Sequence, residues 1–137
     1  MDSEGNEQSM QIEELDHLVL TVADLGRTRD FYERVLGMEP VVFGEGRHAL
    51  AFGAQKINLH EAGREFEPKA AVPTPGSADL CFLPNALVAE VVEHLGANSV
   101  EIIEGPVRRT GAIGPIKSVY FRDPDGNLIE VSSRLGE

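Results

Sequence analysis

The sequence predicts an α+β fold: two βαβββ modules that form one curled mixed sheet, with the helices on its outer face. Three observations predict it. The opening stretch LDHLVLTVADL is answered in the second half by SADLCFLPNAL. Each is followed by a helical stretch that closes at a glycine, Gly37 in the first half and Gly96 in the second. The strand-rich end of the first half, HALAFGAQKINLHE, is answered by KSVYFRDPDGNLIEV at the end of the second. A repeat of this size means one supersecondary unit used twice, each copy too small to bury its apolar face alone.

Residues 12–137 are read as one domain, with module one over 15–61, a linker over 62–76 and module two over 77–133. Residues 1–11 are acidic and polar and read as a disordered leader. Leu15–Val22 alternates: Leu18, Leu20 and Val22 share an apolar face, while His17, Val19 and Thr21 share the other. Asp24 is a natural N-cap, the apolar positions from Leu25 to Leu36 have helical spacing, and Gly37 stops the helix. Strands follow at Glu39–Phe43, His48–Phe52 and Lys56–His60. In the last, Ile57 and Leu59 face the helix and Lys56, Asn58 and His60 face away. Prolines and glycines mark 61–76 as a crossing loop, whose Phe66 and Lys69 are expected to fold over a neighbouring surface.

The second module opens with a strand at Ser77–Leu83. A helix from Pro84 or Asn85 carries the stripe Leu87, Val88, Val91, Val92 and Leu95. His48 and His94 are expected to be solvated. Val100–Ile103 reads as a strand and 104–115 as a Gly/Pro loop with hinges at Gly111 and Gly114. Two strands, Ile116–Phe121 and Asn127–Ser133, flank the turn Asp123-Pro124-Asp125-Gly126.

Composition narrows the function. The formal net charge is −11, and such a surface repels nucleic acid and anionic membranes. No apolar run approaches the roughly 20 residues of a bilayer span, and no secretory signal is visible. Cys81 is the only cysteine, which rules out an intrachain disulfide and fits a cytoplasmic location. Cys81 itself reads as a small buried hydrophobe. There is no Walker loop, no GxGxxG after a strand, no GxSxG elbow and no CxxC pair.

The faces turned away from the helices carry the chemistry. Matching the repeats sets His17 opposite Asp79 and Asn58 opposite Glu130, with His60 two residues beyond Asn58. Glu130 is flanked by apolar neighbours, where a carboxylate is costly unless paired, hydrogen-bonded or metal-bound. Imidazole and carboxylate converging in one cleft suit a divalent cation: Zn, Ni, Mn, Fe or Co. Arg108 or Arg109, on the 104–115 loop, is placed to meet a substrate carboxylate or phosphate if that loop closes.

DHLVLTVADLGRTRDFYERVLGM at the start and YFRDPDGNLIEV at the end resemble the vicinal oxygen chelate superfamily. Its members include glyoxalase I, extradiol dioxygenases, fosfomycin-resistance enzymes and bleomycin-resistance binding proteins. FGAQKINLHEAGREFEPKAAVPTPGSADLCF and EGPVRRTGAIGPIKSVYFRDP are similar to a small lactoylglutathione-lyase-like, virulence-associated subgroup. The resemblance implies a metal site at His17 and Glu130, with further positions at Asn58 and Asp79. Two of these depart from the usual pattern: glyoxalase I has a carboxylate at the Asn58 position, and glyoxalases and dioxygenases usually have His at that of Asp79. His60 is placed to restore a two-His, one-carboxylate set.

The expected metal ligands are therefore His17, His60, Asp79 and Glu130, with Glu130 also the catalytic base. Asn58, Arg109 and Tyr120 are the expected substrate contacts. The implied activity is a divalent-metal-dependent lyase, isomerase or ring-cleaving dioxygenase acting on a small vicinal-oxygen substrate. The alternative is a non-catalytic protein that sequesters a ligand or drug. A homodimer is expected in either case.

Overall fold

The structure is a computed structural model, and it describes residues 9–136; positions 1–8 of the expected leader lie outside the described residues. The elements run β1 (His17–Val22), α1 (Leu25–Leu36), β2 (Glu39–Phe43), β3 (Arg47–Phe52), β4 (Gln55–Glu61), β5 (Asp79–Phe82), α2 (Val88–Ala97), β6 (Glu104–Thr110), β7 (Pro115–Arg122) and β8 (Leu128–Arg134). The α+β, two-module fold is the one the sequence predicts. In place of the single curled sheet expected, the strands form two separate four-stranded mixed sheets of identical topology, β1-β4-β3-β2 and β5-β8-β7-β6. In each, the first strand pairs parallel with the last, and the other pairings are antiparallel.

Side chains, rather than a ladder of backbone bonds, join the halves. Leu20, Val22, Leu50 and Ile57 of the first share one buried cluster with Val119, Phe121, Ile129 and Val131 of the second. Phe52 meets Phe82 edge-on, and Phe31 of α1 lies 6.3 Å from Phe121. Burying the apolar face of each small module against the other removes it from water, at roughly 25 cal/mol per Å2 of apolar surface.

Helix α1 is capped as its sequence requires. Asp24 accepts the Arg27 N–H at 2.8 Å, and Gly37 takes the left-handed conformation at φ +68° and donates to the Glu33 carbonyl. Helix α2 starts at Val88, later than expected, with the Glu90 carboxylate accepting the Leu87 N–H. His94 is exposed as expected, although its Nε2 lies 2.8 Å from the Val35 carbonyl. His48 is half-buried instead of solvated.

One element differs in kind. Residues 104–110 form strand β6, where a loop was expected, and Val100–Ile103 is not a strand. Gly105 and Pro106 break the period-two pattern, and the pairing with β7 shifts register between Glu104 and Val107. Because β6 is the edge strand, its proline takes no donor from an interior ladder.

The Asp123–Asn127 turn clamps the two modules. Asp123 is 5 % exposed, and its carboxylate accepts the N–H groups of Asp125 and Asn127, the Asn127 amide and the Tyr32 hydroxyl. Asp125 accepts the Ala23 N–H, and the Asn127 side-chain carbonyl accepts the Ala78 N–H. This turn is therefore a structural staple. No described helix is long and apolar enough to cross a membrane.

Candidate functional site

The residues singled out for chemistry lie on two faces, one per sheet, each opposite the shared core. On the first sheet Leu20 and Val22 point into the core, so His17, Val19 and Thr21 point away. On the second sheet Ile129 and Val131 point in, so Glu130 points away.

The first face holds the nitrogen donors. His17 is exposed, and its Nδ1 lies 2.8 Å from the Asp16 carboxylate. That contact favours the proton on Nδ1 and leaves the Nε2 lone pair directed outward, the arrangement a metal-ligating imidazole needs. Val19 and Thr21 pair with Asn58 and His60 across β1 and β4. His60 is 8 % exposed and packs edge-on against Phe66 at 5.8 Å. The linker thus folds back as expected, and Lys69 joins it beside His60. The Asn58 side-chain oxygen is buried with no hydrogen-bond partner.

The second face holds the carboxylates. Glu130 sits between Cys81 on β5 and Tyr120 on β7. Ser118 donates to Glu130 Oε2 at 2.6 Å, and Ser132 lies 2.6 Å from Ser118. Ser132 also donates to Glu130 Oε2 at 3.4 Å, and Cys81 Sγ lies 3.4 Å from the Ser132 hydroxyl. These contacts join the thiol, the two hydroxyls and the carboxylate in one polar network. Partial burial is the largest influence on the Cys81 thiol and raises its pKa, opposed by Ser132 and reinforced by Glu130.

Cys81 is exposed, not the buried hydrophobe expected, because β5 is an edge strand and Cys81 lies on its open face. Asp79 is exposed on the same face. Arg109 is not on a closing loop. It lies on β6, donating from Nε to the Tyr120 hydroxyl at 3.0 Å and from Nη2 to Glu104 at 3.0 Å. Burial is the largest influence on the Tyr120 phenol and raises its pKa, with Arg109 opposing and Glu130 reinforcing.

Within one chain these residues do not form a metal cage. Among the described residues, no three His, Cys, Asp or Glu side chains are grouped closely enough to hold a metal ion. The sequence reading had missed Ser118, Ser132, Arg47 and Lys56. The two serines were findable, since each is two positions from a singled-out residue, Tyr120 or Glu130, and so shares its face.

A family model described as Glyoxalase/Bleomycin resistance protein/Dioxygenase superfamily matches residues 14–131. The chain belongs to this superfamily. Within the glyoxalase superfamily, it is 58% identical over 123 residues to Virulence protein STM3117 of Salmonella typhimurium, covering 90% of this chain and 85% of that one. It is 57% identical over 127 residues to Glyoxalase domain-containing protein RDO1 of Mycosarcoma maydis, covering 93% of this chain and 72% of that one. More distantly, it is 27% identical over 122 residues to Metallothiol transferase FosB of Staphylococcus epidermidis, covering 89% and 82%. The crystal structure of STM3117 superposes with a TM-score of 0.91 over 92% of this chain and 100% of that one, at 57% identity.

Proposed function

We propose that the chain is a divalent-metal-dependent glyoxalase-type lyase or isomerase, whose site is completed where the first face of one copy meets the second face of another. The observation that carries this reading is the division of donors. His17 and the linker-covered His60 lie on one face and Asp79 and Glu130 on the other, with no group of three on either among the described residues.

In kind, the donor set fits a divalent cation. It offers imidazole nitrogens, carboxylate oxygens and the orphaned Asn58 carbonyl, a buried acceptor that gains from a positively charged neighbour. In number, it fits only when the faces are brought together. The homodimer that the family resemblance implies would supply that juxtaposition.

His17, His60, Asp79 and Glu130 are the residues that would hold the cation. When bound, it supplies Lewis acidity to a substrate with two adjacent oxygens. Glu130 moves the proton, with Ser118 fixing one of its oxygens and so its orientation. Tyr120, fixed by Arg109, and Asn58 contact the substrate. A carboxylate base suits proton transfer next to a carbonyl, and this favours lyase or isomerase chemistry over ring cleavage.

The test is metal analysis of protein purified without chelator, followed by titration with Mn, Ni and Zn salts. About one equivalent per chain is expected, with uptake lost in His17→Ala and in Glu130→Gln and a dimer by light scattering. Uptake below about a tenth of an equivalent overturns the reading. In that case, tight binding of an aromatic drug by metal-free protein, without turnover, selects a sequestering protein. The Phe43 and Phe66 rings beside Lys56 and His60 favour that second reading.

A further inference from the structure

We infer that the first-sheet face is an oxyanion subsite, with Arg47 and Lys56 holding a carboxylate, phosphate or phosphonate group of the substrate. This rests on the reading of that face as part of a substrate site, and it names the substrate class as anionic.

Among the described residues, four of the twelve Lys and Arg side chains are held by carboxylates. Arg34 meets Asp30, Arg64 meets Glu61, Arg109 meets Glu104 and Lys69 meets Glu67. Arg47 and Lys56 differ. Among the described residues neither makes a salt bridge, and each is held over a ring. The Arg47 guanidinium lies 4.4 Å from the centroid of Phe66, and the Lys56 ammonium lies 3.8 Å from that of Phe43. A ring face orders a cation without neutralising it, so its N–H donors stay available to an anion.

The surroundings suit a ligand. The strand registers put Arg47, Ala49 and Ala51 on the same face as Lys56, Asn58 and His60. The two alanines leave the middle of this face low, and Lys56 reaches across it to Phe43. His60 touches Phe66, the ring that also carries Arg47. Next to His60 is a cavity of about 220 Å3 between the strands and the linker, lined by Val19, Thr21, Pro68 and Lys69 among others. Glu45, in the turn before Arg47, and Asp16, bonded to the His17 that pairs with Lys56, flank this face, and three further carboxylates adjoin it. Glu67 is held by Lys69, Glu65 accepts the Gly63 N–H, and Glu39 shares the row of Ala51 and Lys56 at the exposed end. None of the three is paired with Arg47 or Lys56.

The experiment is an NMR titration of the 15N-labelled full-length chain with inorganic phosphate and, separately, with acetate, at constant ionic strength. Saturable shifts are expected at Arg47, Asn58, His60 and Phe66, with apparent affinity reduced at least tenfold in Arg47→Gln and in Lys56→Gln and partly restored in Arg47→Lys. Stronger binding of phosphate points to a phosphate or phosphonate substrate, and stronger binding of acetate to a carboxylate; either supports the subsite. Non-saturable shifts, or saturable ones unchanged in both glutamine variants, overturn it. Metal uptake is measured on the same samples. Loss of metal binding with anion binding intact overturns the metal reading alone, and the reverse overturns only the oxyanion subsite.

Discussion

The Tyr32 hydroxyl donates a 2.6 Å hydrogen bond to Asp123 Oδ2, joining α1 of the first module to the β7–β8 turn of the second across 91 positions of sequence. Both groups are buried, with Tyr32 fully inaccessible. Burial, then the Asp123 charge and hydrogen bond, push the Tyr32 phenol far above its ordinary range.

Tyr32→Phe leaves one carboxylate oxygen short of a donor. The expected cost is about 1–3 kcal/mol, read as a lower urea midpoint. A phenol whose pKa is higher folded than unfolded adds stability that is whole below about pH 10 and is lost as the pH rises above it. Above that pH wild-type stability should fall more steeply than that of Tyr32→Phe, by about 1.4 kcal/mol per pH unit. Parallel slopes in the two proteins would show that the phenol is not protected.

Tyr120 offers a second reading of the same chemistry. The chain has two tyrosines, and Tyr32 stays protonated while the protein is folded. Phenolate absorbance in the folded state therefore reports Tyr120, ionising above its ordinary pKa. Arg109→Gln should raise that pKa further, and Glu130→Gln should lower it. Movement in the other direction for either variant contradicts the Arg109–Tyr120–Glu130 arrangement.

Ser118→Ala removes the 2.6 Å donor to Glu130 and leaves only the longer Ser132 contact, 3.4 Å, on that oxygen. Metal affinity should fall about tenfold with the dimer retained, as expected for loss of a group that orients a ligand. Unchanged affinity in titration calorimetry would detach Ser118 from the site.

Gly76 closes the linker at φ +81°, and a Cβ there would stand 2.5 Å from the Asp125 carbonyl oxygen. Backbone cannot yield as a side chain can. Gly76→Ala should cost about 2 kcal/mol or more, since a positive φ alone costs 1–3 kcal/mol for other residues. The loss should appear in thermal unfolding, and amide shifts at Ala23 would show the Ala23–Asp125 contact disturbed.

Strand β6 shows where reading the sequence failed. Its Gly105-Pro106 pair has the signature of a loop, and only pairing with β7 makes 104–110 a strand. That error moved Arg109 from a fixed partner of Tyr120 to a mobile lid. Cys81 was misjudged for a related reason: alternation gave its face, but whether that face was covered depended on β5 being an edge. Phe66, in contrast, was correctly expected to fold back, although its partner Arg47 was not foreseen.

The sequence by itself determined the repeat, the two capped ends of α1, and the faces carrying His17, Asn58, His60, Asp79 and Glu130. These follow from periods of two and 3.6 residues and from the conformational limits of glycine and proline, all local properties. Only the tertiary structure decided where those faces lie relative to one another. Two modules that cannot bury their apolar sides alone bury them against each other. The imidazole face, partly covered by the linker, and the carboxylate face are thereby left on separate sheets, and no local pattern records that choice.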